Sequence, residues 1–273
     1  MEQGVSIGKV KVGGEPKITV RIIGRCNFRC PLCSTFSSPE RRGMMHSSDF
    51  RRIIDILTKE SFRGVLNISG GEPTLHPDLP AMLAYCSMRL RDARIVVFTN
   101  GHWVGNPRWQ ATLKGLFAGR NILVRFSLDR QHAEGAALAS GYTDEQILRE
   151  IEVSRFWKAH AFFDACVAEG LIPGEHFDFA FKGSAEEAGG YLSTLGEAPV
   201  YLIRFQKDPA NRQKELGYFA VDLSEDGQPL VFLTLGHIPS GESLGGIENL
   251  PEALEINRKA LLDADLSEKG PLS

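Results

Sequence analysis

The sequence predicts an α/β fold built on a parallel sheet. Three observations predict it. Short runs rich in β-branched and aromatic residues recur along the chain, longer helix-like segments separate them, and 273 residues suffice for one large α/β domain. Strands alternating with helices imply βαβ units, whose strands run parallel.

The elements follow in order. KITVRII (17–23) reads as the first strand, followed by a cysteine-rich loop and a helix over about 48–59. GVLNISG (64–70) is the second strand, with a helix over about 79–90. RIVVFTN (94–100) and ILVRFSLD (122–129) are the third and fourth, with helical Pro107–Phe117 between them. Residues 143–170 read as one long helix, with Thr143 as N-cap and Gln146 completing a capping box. HFDFAF (176–181) and VYLIRF (200–205) supply two more strands. Beyond residue 207 the pattern changes: 218–233 holds two β-runs around Glu225-Asp226-Gly227, a hairpin signal, and Pro251 opens a final helix.

Composition excludes several classes of function. With 31 basic against 34 acidic residues the net charge is −3, which gives no bulk attraction to nucleic acid or to an anionic membrane. No run approaches the ~18–20 apolar residues that span a bilayer. The opening MEQGVSIGKVKVGGEP lacks the apolar centre of a signal peptide, so the expected location is cytoplasmic. Five cysteines, an odd number with three crowded together, do not read as an extracellular disulfide framework.

Those three lie in GRCNFRCPLCSTF, at Cys26, Cys30 and Cys33. Their spacing also matches one face of a helix. Pro31 argues against that, because proline disfavours the α conformation in the residue before it and removes an amide donor. A structural zinc site needs four ligands. Cys86 and Cys166 sit far away in helical segments, which leaves His46 as the candidate to close such a site. Three thiolates without an evident fourth suit a 4Fe–4S cluster with one iron left open.

CNFRCPLC resembles the CxxxCxxC motif of radical S-adenosylmethionine (radical SAM) enzymes, and the family's other motifs follow in order. Ser69-Gly70-Gly71-Glu72-Pro73 resembles its GGEP motif, Thr99-Asn100-Gly101 its TNG, and Ser127-Leu128-Asp129 its SxD. The resemblance covers about residues 17–206. It implies that Cys26, Cys30 and Cys33 hold one 4Fe–4S cluster and that S-adenosylmethionine chelates the fourth iron. It implies that Gly70, Gly71, Glu72 and Pro73 receive the methionine amino group, the glycines letting backbone approach a ligand closely. Asn100, Ser127 and Asp129 join the cofactor site by the same pattern. Leu32 takes the place of the aromatic residue that usually contacts the adenine, keeping apolar packing without stacking. One electron, from a donor such as flavodoxin or ferredoxin, then cleaves the sulfonium, and the 5′-deoxyadenosyl radical abstracts hydrogen from substrate.

Strand side chains alternate faces. Arg125, Ser127 and Asp129 share one face of the fourth strand and Val124, Phe126 and Leu128 the other; Asn67 and Ser69 oppose Leu66 and Ile68 in the second. Asp178 and Lys182 oppose three phenylalanines in the fifth strand, and Arg204 and Gln206 lie opposite Tyr201, Ile203 and Phe205 in the sixth. An inward polar face suits a polar ligand. The expected architecture is therefore a partial (β/α)6 TIM-like barrel over 1–206 with a small hairpin-plus-helix extension over 207–273. The extension resembles a cysteine-free remnant of the SPASM or twitch domains, capping the barrel mouth. Catalytic groups are expected at the C-terminal ends of the strands.

Arg125 and Arg204 are candidates to clamp a carboxylate or phosphate on the cofactor or substrate, Arg125 as a cofactor-binding residue, or else to pair internally with Asp178 or Asp129. His102 and His132 read as loop histidines and Trp103 as a packing residue. The charged face of the 143–170 helix reads as solvated surface. Cys166 has two readings, a hydrogen donor to a substrate radical or an inert buried thiol. The function expected is hydrogen abstraction from a small polar metabolite or short peptide, in natural-product or cofactor biosynthesis. The alternatives are a glycyl-radical-enzyme activase acting on a partner protein and a non-catalytic Fe–S or zinc-binding regulatory module.

Overall fold

Two-faced strands leave one arrangement open to them: apolar faces under helices, polar faces turned to each other. The computed structural model describes residues 16–117, 121–172, 175–182, 203–206, 218–223, 228–235, 238–239 and 245–255. Its strands are β1 (Lys17–Arg21), β2 (Val65–Ser69), β3 (Arg94–Thr99), β4 (Ile122–Ser127), β5 (Phe177–Lys182), β6 (Ile203–Gln206), β7 (Tyr218–Leu223), β8 (Pro229–Leu235) and β9 (Ile238–Pro239). The helices are α1 (Ser47–Lys59), α2 (Leu79–Arg89), α3 (Pro107–Phe117), α4 (Arg130–Ala139) and α5 (Glu145–Ala168). One nine-stranded sheet runs β6-β5-β4-β3-β2-β1-β7-β8-β9, with every neighbour parallel from β6 to β7. The six expected strands are therefore present and parallel.

The register sets the two faces. Thr19 lies opposite Asn67 and Arg21 opposite Ser69; across the sheet, Phe98 pairs with Arg125 and Arg125 with Asp178. These form the lumen side. The other face carries Ile18, Val20, Leu66, Ile68, Ile95, Val97, Val124 and Phe126, all buried under helices. Helix α1 meets them with Phe50, Ile53, Ile54 and Leu57, the i, i+3, i+4, i+7 stripe of an amphipathic helix. From α5, Phe163 stacks on Phe177 at 4.4 Å and sits edge-on to Phe126 and Phe179 at 4.8 and 4.6 Å.

Three elements differ from the expectations. Helix α4 was read as loop, since its RQHAEGAALA has no strong apolar stripe; Asp129 caps it by accepting from the His132 amide. Helix α5 is capped by Asp144, not Thr143, and the Asp144 carboxylate accepts from the amides of Gln146 and Ile147. A carboxylate at a helix N-terminus also meets the favourable end of the dipole. The C-terminal hairpin forms as β7 and β8, and its turn lies outside the described residues. Strand β7 pairs in parallel with β1 and so continues the sheet past its first strand, a pairing not anticipated from sequence. Residues 250–255 are helical, as Pro251 suggests. Among the described residues no helix is long and apolar enough to cross a membrane.

Phe163 touches three aromatic rings on two strands, Phe126 of β4 and Phe177 and Phe179 of β5. Phe163→Ala should cost about 3–5 kcal/mol of unfolding free energy, measured by urea denaturation; a cost under ~1 kcal/mol would mean that the ring cluster does not hold α5 to the sheet.

Candidate active site

The parallel ladder does not stop where β1 and β2 end. Ile22 donates to the Ser69 carbonyl at 3.0 Å, Gly71 to Ile23 at 2.6 Å, and Glu72 to Arg25 at 3.0 Å. The start of the cysteine loop thus lies edge to edge with the GGEP segment. Gly70 has φ +143°, and a Cβ on it would stand 2.3 Å from the Ile23 carbonyl oxygen; one on Gly71 would stand 2.1 Å from that of Arg25. The glycines were expected to make room for a ligand. Their first duty is to admit the protein's own backbone.

The loop itself is non-helical, as Pro31 requires, with single turns closed by Cys33 N to Cys30 O (3.2 Å) and Phe36 N to Cys33 O (3.2 Å). It returns on itself through Cys26 N to Ser38 O and Met45 N to Ile22 O. Buried His76 pins the exit, its Nε2 2.9 Å from the Met45 carbonyl oxygen while Nδ1 accepts from the Asp78 amide. Cys26, Cys30 and Cys33 all line one cavity of about 120 Å3. Gly70, Gly71, Asn100 and Ser127 share that lining, so four motifs far apart in sequence meet at the strand ends. His132 lines it too, its Nδ1 2.7 Å from Asp129 Oδ1. His46, the candidate fourth zinc ligand, is instead exposed at the start of α1.

Two of the three sulfurs are met by hydrogen-bonding groups. Cys26 Sγ accepts from the Phe28 amide at 3.4 Å and from Asn100 Nδ2 at 3.8 Å; Cys33 Sγ accepts from the Ser37 amide at 3.4 Å and lies 3.2 Å from Thr35 Oγ1. Burial pushes the Cys26 and Cys30 thiols up to about 12, reinforced by neighbouring Cys33 and, for Cys30, by Cys26 and Asp129. Crowded thiols of this kind shed their protons when a cation joins them. Three sulfur donors from one loop fit a 4Fe–4S cluster, in which each cysteine holds a different iron.

Glu72 is fully buried, and its carboxylate is spent on the protein. Oε1 accepts from the Thr74 amide (3.1 Å), Thr74 Oγ1 (2.6 Å) and Thr99 Oγ1 (2.8 Å), while Oε2 accepts from the Asn100 amide (2.7 Å). The expectation that Glu72 receives an amino group meets four donors already in place. Pro73 is buried and starts a short 3-10 turn. Asn100 is the hub: its Nδ2 also reaches Asn27 Oδ1 at 2.9 Å, and its Oδ1 accepts from the His102 amide.

The remaining expected residues divide. Arg125 makes a two-point ion pair with Asp178 at 2.8 and 2.7 Å, so the internal pairing is realised; the side chain of Arg204 lies outside the described residues. Leu32 is 67% exposed on the cysteine loop. Trp103 packs in the core against Phe126 and Phe162 and donates to Thr99 Oγ1. Cys166 is fully buried in the apolar core between α5 and the sheet, on the side away from the lumen, and this placement removes it as a hydrogen donor to substrate.

Two residues were missed. Gly135 of α4 lies against Cys30, and a Cβ there would stand 2.5 Å from its Sγ and 2.7 Å from its amide nitrogen. Arg155 of α5, expected in solvent, donates to the carbonyls of Asn100 and Ser127. Neither carries a local signal, because each is defined by what it touches across the fold.

Gly135→Ala should therefore displace Cys30 and lower iron and sulfide loading several-fold in anaerobic reconstitution, with the far-UV spectrum retained. Gly115→Ala in α3, where an added Cβ meets nothing within 4 Å, is the control and should load fully.

Comparison with known proteins agrees with this geometry. The radical SAM superfamily model matches residues 20–158. The subtilosin biosynthesis protein AlbA of Bacillus subtilis is 34% identical over 120 residues, 42% of this chain and 25% of that one. The GTP 3',8-cyclase of Aliarcobacter butzleri is 29% identical over 139 residues, 50% of this chain and 41% of that one. The chain thus spans well under half the length of these curated relatives. Among solved structures, anSMEcpe with bound AdoMet superposes with a TM-score of 0.55 at 14% identity, covering 91% of this chain and 80% of that one. BtrN in complex with AdoMet and 2-DOIA gives 0.51 at 15% identity, covering 90% and 88%. Those two likenesses establish the TIM-like barrel fold. The chain belongs to the radical SAM superfamily, a family of enzymes that use a 4Fe–4S cluster and S-adenosylmethionine.

Proposed function

We propose that the chain abstracts hydrogen from a short peptide or a small polar metabolite held in the barrel lumen. The observation that carries this reading is the single cavity shared by three cysteines of one loop with Gly70, Gly71, Asn100 and Ser127. Cys26, Cys30 and Cys33 would hold one cluster, and the backbone at 70–71 with Asn100 and Ser127 would receive S-adenosylmethionine beside it. When bound and reduced, the cluster would supply the electron for reductive cleavage of S-adenosylmethionine.

The chain's own residues position and exclude. Glu72 ties Thr99 and Asn100 to the GGEP segment, so the methionine amino group is left to backbone carbonyls of that segment. Leu32 offers an apolar face to the adenine. Asp129, itself buried, holds the His132 ring at the cavity wall. The lumen side of the sheet presents Thr19, Asn67, Ser69, Ser127 and the Arg125–Asp178 pair, a surface whose groups gain most from a polar ligand. Matched relatives named for subtilosin biosynthesis and for a GTP cyclase support peptide and small-molecule substrates respectively. The electron would come from an outside one-electron carrier of the flavodoxin or ferredoxin kind.

Anaerobically reconstituted wild-type protein with dithionite should turn S-adenosylmethionine into 5′-deoxyadenosine, read by chromatography, and Cys30→Ala should lower the yield at least a hundredfold. Full iron loading without product would favour a non-catalytic module, and zinc in place of iron would defeat the cluster assignment.

A further inference from the structure

Arg155 stands in the middle of α5, yet its guanidinium reaches the cluster loop. Nη2 donates to the Asn100 carbonyl at 2.7 Å and to the Ser127 carbonyl at 3.2 Å. Its central carbon lies 4.8 Å from the centroid of the Phe28 ring. One cation thus joins the ends of β3 and β4 to the residue midway between Cys26 and Cys30.

The three sulfurs differ in what surrounds them. Cys26 and Cys33 each have a backbone amide and a side-chain group at hydrogen-bond distance. Cys30 has instead the close backbone of Gly135, and the Arg155 guanidinium lies over Phe28, two residues before it. Reducing a 4Fe–4S cluster adds negative charge to a weakly screened place, and a fixed cation there lowers the cost. Arginine suits the position because it stays charged when partly buried. Its planar fork can also bridge two carbonyls while its face lies over an aromatic ring.

We propose that Arg155 is a positioning residue which braces the Cys30 side of the loop and whose charge raises the reduction potential of the bound cluster. The inference rests on Cys26, Cys30 and Cys33 holding that cluster. It assigns to α5 a role in electron uptake beyond its packing against the sheet.

The test uses the full chain, reconstituted anaerobically, as wild type, Arg155→Lys and the neutral variants Arg155→Met and Arg155→Gln. Iron and sulfide content is measured first. An EPR-monitored redox titration of each loaded protein then gives the midpoint. The neutral variants should titrate at a clearly more negative potential than wild type, with the lysine variant near wild type. Loss of the cluster from both neutral variants, with retention by the lysine variant, would also support the proposal. Equal midpoints in loaded wild-type and neutral proteins would overturn it while leaving the cluster assignment intact. So would a lysine variant that behaves like the neutral ones, whether in loading or in potential. A wild type that loads no cluster would overturn both.

Discussion

A carboxylate sealed from solvent holds this site together. Glu72 has no exposed surface, and a polar group so placed is tolerated only when partners surround it. Its four donors come from Thr74, Thr99 and the Asn100 amide, so the segment after β2 is fastened to the end of β3. Asn100, held there by its own amide, can then place Nδ2 against both Asn27 and the Cys26 sulfur. A shift at Glu72 would pass through Asn100 to the Cys26 sulfur in two contacts.

The cysteine loop is gripped from three sides. The GGEP segment meets it backbone to backbone, with no space for a Cβ at residue 70 or 71. Helix α4 comes close enough for the Gly135 carbonyl to accept from Arg29 at 2.9 Å. Helix α5 sends in Arg155 over Phe28. Such close packing positions the sulfurs and shields them, and the same burial pushes the Cys26 and Cys30 thiols up.

Much of this was legible in the sequence, for a definite physical reason. Pro31 breaks the helix that three cysteines would otherwise suit, and the alternation in ILVRFSLD assigns Arg125 and Ser127 to the lumen by geometry alone. Motifs at strand ends converge because parallel strands bring all their C-terminal ends to one rim. What was illegible depends on contacts between distant segments. Gly135 in RQHAEGAALA looks like a weak spot in a helix until Cys30 is seen against it. Arg155 looks like one more charge on a long helix until the carbonyls of Asn100 and Ser127 are found beneath it. The glycines at 70 and 71 were recognised for a need for space, but the backbone of Ile23 and Arg25 that also occupies it was not foreseen, since sequence does not show what fills the space. Helix α4 escaped notice because its packing face is made of alanine and glycine, which carry little periodic signal.

The account stands on one iron corner left for S-adenosylmethionine by a loop that supplies three thiolates. EPR of the dithionite-reduced protein, recorded before and after S-adenosylmethionine is added, tests it most directly. The account predicts a reduced-cluster signal whose g-values shift on addition, because the amino acid end of the cofactor joins the iron that the polypeptide leaves open. A signal of full intensity that does not change with saturating S-adenosylmethionine would contradict it.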